Sequence, residues 1–348
     1  MLDVVGLPDW PLFGLADDVR PALKDILSLN RPAVLATLYR VVGGSTRSAG
    51  SQMLISHERL SGFISGGCIE GDIAVHAATV AATCRPQRLI YGDGGPYPDI
   101  RLVCGGRVEI LLERISPGDP ATSRLIEISD QRRTALWVSD GDLRACWPAD
   151  APAPAVPPRL ARAARALADA PDARCIDVDA EAVAIRYTPP RRMIVVGGDP
   201  TAIAIATLAV QSGFQTWLVR SKGPQTPPPI EGIGYDRRTP DLALPAIGLD
   251  PWTYVAVATH DLESDEAALA TALPSDAAYV GVLGARRRLP ERLARLGSLG
   301  VSAAALARLK APIGLDIGGK APFEIAVAVL AEVIAHRHGP ASLQGPGR

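Results

Sequence analysis

Met193-Ile194-Val195-Val196-Gly197-Gly198-Asp199-Pro200-Thr201-Ala202 reads as an apolar strand, a glycine turn and the first turn of a helix. A dinucleotide fingerprint occupies that position in a chain. Its glycines let the backbone approach a pyrophosphate at a helix N-terminus. Here the match is defective. Gly197 supplies the first glycine and Ala202 can stand for the third, but Asp199 holds the second position. Its side chain obstructs a pyrophosphate and its charge repels one. The next strand, Trp217-Leu218-Val219, ends in Arg220-Ser221-Lys222 rather than an acidic ribose ligand. Arg220 suits a 2′-phosphate instead. The segment therefore predicts a fold, while Asp199 counts against NAD(P) as its ligand.

Outward from this segment, strand and helix alternate. Strands are expected at Tyr254 to Ala258 and Tyr279 to Leu283, with helices at Thr201 to Ser212, Asp265 to Ala272 and Pro322 to Ala335. That rhythm predicts a parallel sheet covered on both faces, a Rossmann-like domain over residues 191–338. Ligands of such sheets sit at the carboxyl ends of the strands. There the chain places Thr259-His260-Asp261-Leu262-Glu263-Ser264-Asp265. His260 and its neighbouring carboxylates could bind metal or do acid–base work, or could form a polar helix cap. Residues 1–116 read as a mixed α/β domain. Residues 117–190 read as a connecting segment, with a hairpin at Thr134 to Ser139 and Leu143 to Trp147. The Pro/Ala-rich run from Pro148 to Pro158 favours polyproline II. Residues 339–348 read as a flexible tail. The fold class expected is α/β, in two domains.

Composition narrows the partners. Lys plus Arg is 36 and Asp plus Glu is 37, a formal net charge of −1. This argues against a nucleic-acid binder and leaves room for a small basic pocket. No apolar run approaches a membrane span, and the N-terminus lacks a basic region followed by an apolar one. A cytoplasmic, soluble protein is expected. Five cysteines without dense spacing argue for free thiols rather than a disulfide scaffold.

Two of those thiols are flanked by glycine. Ser65-Gly66-Gly67-Cys68-Ile69-Glu70 lies between a strand candidate, Phe63-Ile64, and a helix candidate, Glu70 to Ala82. Gly66 and Gly67 let a ligand approach the backbone, and the helix field favours a thiolate at Cys68. The alternative is a tight turn with a structural cysteine. Cys104-Gly105-Gly106 opens the strand Arg107 to Glu113, where a bulge would explain the glycines equally well. Neither has the CxxC spacing of a zinc site. Cys84, Cys146 and Cys175 read as core or surface thiols. Gly43-Gly44-Ser45-Thr46-Arg47-Ser48-Ala49-Gly50 could form an oxyanion-binding loop with Ser45 and Arg47 as donors, or a solvated hairpin.

In shared order these segments resemble the XdhC/CoxI family of molybdenum-cofactor chaperones. The resemblance also rests on Tyr279-Val280-Gly281-Val282-Leu283-Gly284-Ala285-Arg286. It rests further on Pro312-Ile313-Gly314-Leu315-Asp316-Ile317-Gly318 and on Pro322-Phe323-Glu324-Ile325-Ala326. It implies a protein without turnover of its own. Such a protein binds the molybdopterin form of the cofactor and holds it while a cysteine desulfurase supplies sulfur. It then delivers the cofactor to a molybdenum hydroxylase such as xanthine dehydrogenase. On that reading Cys68 approaches or ligates molybdenum, Cys104 supports the site and Arg47 pairs with the pterin phosphate. Gly66, Gly67, Gly105, Gly106, Ser45, Glu70 and His260 complete it. A homodimer would shelter a cofactor of this size. The family usually has a Gly-Ala-Gly-His type turn where this chain has Gly197-Gly198-Asp199-Pro200. A second reading is an NAD(P)-dependent oxidoreductase with His260 or Asp261 in acid–base chemistry. A third is a scaffold that binds only the partner enzyme, which leaves both glycine-flanked thiols unexplained.

Overall fold

The computed structural model describes residues 8–57, 59–96 and 105–338. Cys104 and the expected tail at 339–348 lie outside them. The chain divides into two compact units, Met1–Pro189 and Pro190–Arg348.

The first unit runs α1 (Arg20–Ser28), β1 (Ala33–Val42), β2 (Gln52–Ile55), β3 (Leu60–Gly62), α2 (Glu70–Thr83), β4 (Gln87–Tyr91) and β5 (Arg107–Ile115). It continues with α3 (Pro120–Asp130), β6 (Ala135–Ser139), β7 (Arg144–Pro148), α4 (Pro158–Ala168), β8 (Cys175–Val178) and β9 (Ala182–Tyr187). The strands make two antiparallel sheets, ordered β3-β2-β1-β5-β4 and β7-β6-β9-β8. Between the sheets, Leu35, Tyr39 and Leu111 meet Trp137, Val183 and Ile185. On the outer face of the larger sheet, Val34, Ala36, Leu38, Val108, Ile110 and Leu112 pack on Ile73, Ala77 and Val80 of α2. α4 covers the outer face of the smaller sheet through Leu160, Ala163 and Leu167. β1 is therefore buried on both faces from Ala33 to Tyr39, so AVLATLYRVV shows no strict apolar–polar alternation.

Residues 117–190 do more than connect. They supply four strands and two helices to this unit, and Ala121, Leu125 and Ile128 of α3 share a core with β1 and β5. The expected hairpin forms as β6 and β7, with Ser139 opposite Arg144 and Gly141 at φ +103° in the turn. The proline run joins β7 to α4 inside the unit. The strand expected at Phe63-Ile64 lies earlier, at β3. Gly62 ends it at φ +84°, where a Cβ would stand 2.3 Å from the Gln52 carbonyl oxygen. Helix α1 begins at Arg20, where Asp18 accepts from the Arg20 amide and Pro21 fixes the first turn.

The second unit runs β10 (Arg192–Gly197), α5 (Pro200–Gln211), β11 (Gln215–Val219), β12 (Gly234–Asp236), α6 (Pro240–Ile247), β13 (Thr253–Ala258) and α7 (Leu262–Ala272). Then come β14 (Tyr279–Val282), α8 (Leu289–Ser298), α9 (Ala303–Leu306), β15 (Leu309–Lys310) and α10 (Pro322–His338). Its sheet is parallel throughout, in the order β12-β11-β10-β13-β14-β15. This is the doubly wound Rossmann order, with its switch point between β10 and β13. α5 and α10 cover one face through Ala202, Ala206, Ala209, Val329 and Val333. α6 and α7 cover the other through Ala243, Leu244, Ala268 and Leu269. The α/β class expected from the sequence is the class observed.

Candidate functional site

The first unit builds its site around the turn that leads from β3 into α2. Glu70 is 1% exposed, yet it opens the helix. Its carboxylate folds back into the preceding turn. Oε1 accepts from the amides of Ile64 (3.1 Å) and Ser65 (2.6 Å). Oε2 accepts from the Ser65 hydroxyl (2.7 Å) and the Ile69 amide (3.3 Å). The Ser65 Oγ in turn accepts from the Cys68 amide (3.1 Å). Charge-assisted bonds of this kind hold a turn in one shape. Beyond them Gly66, Gly67 and Cys68 are exposed, and a Cβ at Gly66 or Gly67 would meet nothing within 4 Å. Gly67 sits at φ +97°, which favours glycine. The turn thus presents an open glycine surface ending in a thiol. Glu70 serves by shaping it, since both its oxygens are engaged.

Two further glycine loops meet each other. A Cβ on Gly106 would stand 1.9 Å from the Gly44 carbonyl oxygen, and one on Gly92 would stand 2.1 Å from the Gly106 carbonyl oxygen. Gly105, at φ +68°, has open space around it. So the Gly43-Gly44-Ser45 loop and the Gly105-Gly106 loop lie backbone to backbone. The Ser45 Oγ accepts from the Arg47 amide at 3.2 Å. The Arg47 guanidinium lies over the Phe63 ring, 5.3 Å from its centroid, and pairs with Asp17. Phe63 immediately precedes the Ile64–Glu70 turn, so Arg47 stands beside it. Asp17, Phe63 and Gly92 escaped sequence reasoning. The glycine-rich run Gly92-Asp93-Gly94-Gly95 after β4 was the available signal for the third loop.

Deeper in β5, Glu109 is 4% exposed and gathers Arg107 (3.0 Å), Arg40 (3.8 Å) and the Tyr39 hydroxyl (3.1 Å). Tyr39 also lies under the Arg88 guanidinium. This network ties the base of the glycine loop to the sheet.

In the second unit the carboxyl edge is filled by its own side chains. Asp199 caps α5, its Oδ1 accepting from the Ala202 amide at 2.7 Å. His260 Nε2 lies 3.0 Å from Asp199 Oδ2, across the switch point between β10 and β13. The Arg220 side chain crosses Gly198 so closely that a Cβ there would meet its Cδ at 2.4 Å. Gly197 keeps the fingerprint geometry: a Cβ on it would meet the Ala258 carbonyl oxygen at 2.0 Å. Asp261 caps α7, and hydrogen bonds from Ser264 hold its carboxyl below the usual range. Burial pushes the Asp265 carboxyl up, opposed by Arg292 at 2.8 Å. The capping reading applies to Asp261, and His260 pairs with Asp199 rather than with the carboxylates of its own loop. Among the described residues no group of three His, Cys, Asp or Glu could hold a metal ion. None of the described helices is long and apolar enough to cross a membrane.

Fold and site together define a two-unit α/β protein. Its Rossmann unit has a self-capped phosphate position, and its companion unit carries a glycine-lined thiol turn. The chain belongs to the XdhC and CoxI family. That family matches residues 26–92, and the XdhC Rossmann domain matches residues 193–333. The chain is 27% identical over 329 residues to the molybdenum cofactor insertion chaperone PaoD of Escherichia coli, covering 93% of this chain and 90% of that one. It is 25% identical over 342 residues to a probable xanthine dehydrogenase subunit of Bacillus subtilis, covering 90% and 96%. A crystal structure of a xanthine dehydrogenase from Bacillus halodurans shares the fold. Its TM-score is 0.71 at 22% identity, over 95% of this chain and 98% of that one.

Proposed function

We propose that the protein binds the molybdenum cofactor, in its molybdopterin form, and holds it for insertion into a molybdenum hydroxylase of the xanthine dehydrogenase type. The observation that carries this reading is the exposed Gly66-Gly67-Cys68 tip held rigid by the buried Glu70 carboxylate. The names of the relatives support the same cargo. A cysteine sulfur is a soft ligand that suits molybdenum, and Cys68 presents one at the open end of the turn. Gly66 and Gly67 admit the flat pterin without a side chain in its way. Arg47, with Ser45 beside it, takes the pterin phosphate through its guanidinium. Gly105 and Gly106 line the neighbouring loop, and Cys104 belongs to the same run of sequence. His260, in the Rossmann unit, belongs to cargo handling on the same reading. A cysteine desulfurase supplies the terminal sulfur while the cargo is held. A homodimer and a cytoplasmic location complete the proposal.

The test is anaerobic purification followed by assay of bound molybdenum and pterin, with NADH and NADPH titrated in parallel. The expected result is pterin on the wild-type protein and retention at least about tenfold weaker in Cys68→Ala. Full retention in Cys68→Ala would remove Cys68 from the site. Tight nicotinamide binding without pterin would overturn the proposed function.

A further inference from the structure

We infer that Asp17 is a built-in competitor for the anionic end of the cargo. In the cargo-free protein it occupies the Arg47 guanidinium, and a phosphate monoester displaces it on binding. The inference rests on the proposed function for the identity of the cargo, and on geometry for the competition itself.

Three observations converge on Arg47. Its Nη2 pairs with Asp17 Oδ1, from a segment 30 residues upstream. Its guanidinium is fixed over the Phe63 ring, and Phe63 leads directly into the Ile64–Glu70 turn. Its Nε is buried and has no hydrogen-bond partner among the described residues. The Arg47 side chain is 23% exposed and the Asp17 side chain 49%. A guanidinium that is held flat over a ring, is part-exposed and stands beside an open glycine turn is placed to meet an incoming anion. Asp17 is the acceptor that such an anion must replace.

The segment bearing Asp17 is placed to register the exchange. It includes the short 3-10 turn Leu12–Leu15, where Gly14 abuts the Phe63 ring. Trp10, Leu12 and Leu15 are 79%, 70% and 81% exposed, while Phe13 between them packs on the core under α2. The Asp17 side of the pair is half exposed, where solvent screening weakens an ion pair. A phosphate carries more charge than a carboxylate and accepts two parallel N–H bonds from one guanidinium. Asp17 therefore weakens cargo binding modestly, which suits a protein that must let its cargo go.

The experiment titrates the full-length protein, wild type and Asp17→Asn, with two probes in low-salt buffer. One probe is inorganic phosphate and the other is molybdopterin released anaerobically from a molybdoenzyme. Asp17→Asn is expected to bind each about two- to fivefold more tightly. In the wild type, either probe raises hydrogen exchange over residues 11–17. Arg47→Ala abolishes both effects, and circular dichroism confirms that the variants are folded. Equal phosphate affinity in wild type and Asp17→Asn, or no phosphate binding by either, would overturn the inference. Tighter phosphate binding by Asp17→Asn without any molybdopterin binding would leave the competition standing and overturn the proposed function. Equal molybdopterin affinity in both proteins would do the reverse.

Discussion

Cys68 and Cys175 carry the same side chain into opposite surroundings. Cys68 is exposed at the tip of a glycine turn, whereas Cys175 lies half-buried against the core between the two sheets. Burial pushes the Cys175 thiol up to about 12, and burial does the same to Cys146. A folded-state value above the unfolded one means that folding favours the neutral thiol. That contribution is complete below the unfolded thiol range near about 8.5, and it is lost as pH rises toward about 12. Alkylation at mildly alkaline pH followed by peptide mass mapping should therefore modify Cys68 and Cys84 and spare Cys146 and Cys175. Modification of Cys175 at the rate of Cys68 would contradict this. Alkaline unfolding of the first unit should begin within the same window. The distinction between these thiols was half legible in the sequence. Flanking glycines marked Cys68, but nothing local announces that Glu70 turns back on residues five and six positions before it.

At the scale of elements, the glycines divide into two kinds that look alike as letters. Gly66 faces open space, whereas a Cβ on Gly106 would press on the Gly44 carbonyl oxygen. Gly66→Ala should leave the thermal unfolding midpoint unchanged and weaken pterin retention by crowding the cargo. Gly106→Ala should destabilise the first unit by about 1–3 kcal/mol, because one backbone must retreat from another. Equal unfolding midpoints for the two variants would show that the loops are not in contact. Strands buried on both faces, such as β10 and β13, were legible because the apolar runs Met193 to Val196 and Tyr254 to Ala258 are unbroken. β12 and β15, at three and two residues, were not legible, because a period needs more residues to declare itself. α6 carried Pro245 inside it, which local propensity opposes and tertiary packing of Ala243 and Leu244 overrides.

For the molecule as a whole, the two units put chemistry in different places. The first leaves its thiol turn open. The second closes its phosphate position with Asp199 and lays Arg220 across Gly198. Asp199→Ala should lower the stability of the Rossmann unit by about 0.5–2 kcal/mol in chemical denaturation, the cost of a lost helix cap. Wild-type protein should give no saturable signal with NADH or NADPH. Saturable NADPH binding by the wild type would mean that Asp199 and Arg220 move aside. The sequence by itself determined the α/β class of the second unit, since alternating strands and helices of that length admit a parallel sheet and little else. It also determined which side chains are chemically able, through Cys68 after two glycines and Asp199 in the fingerprint turn. Only the tertiary structure decided which of them meet. His260 reaches Asp199 across 61 residues, Arg47 reaches Asp17 across 30, and residues 117–190 close the first core rather than link two others. Hydrophobic period reports which face of an element is buried, and it carries no information about what lies opposite.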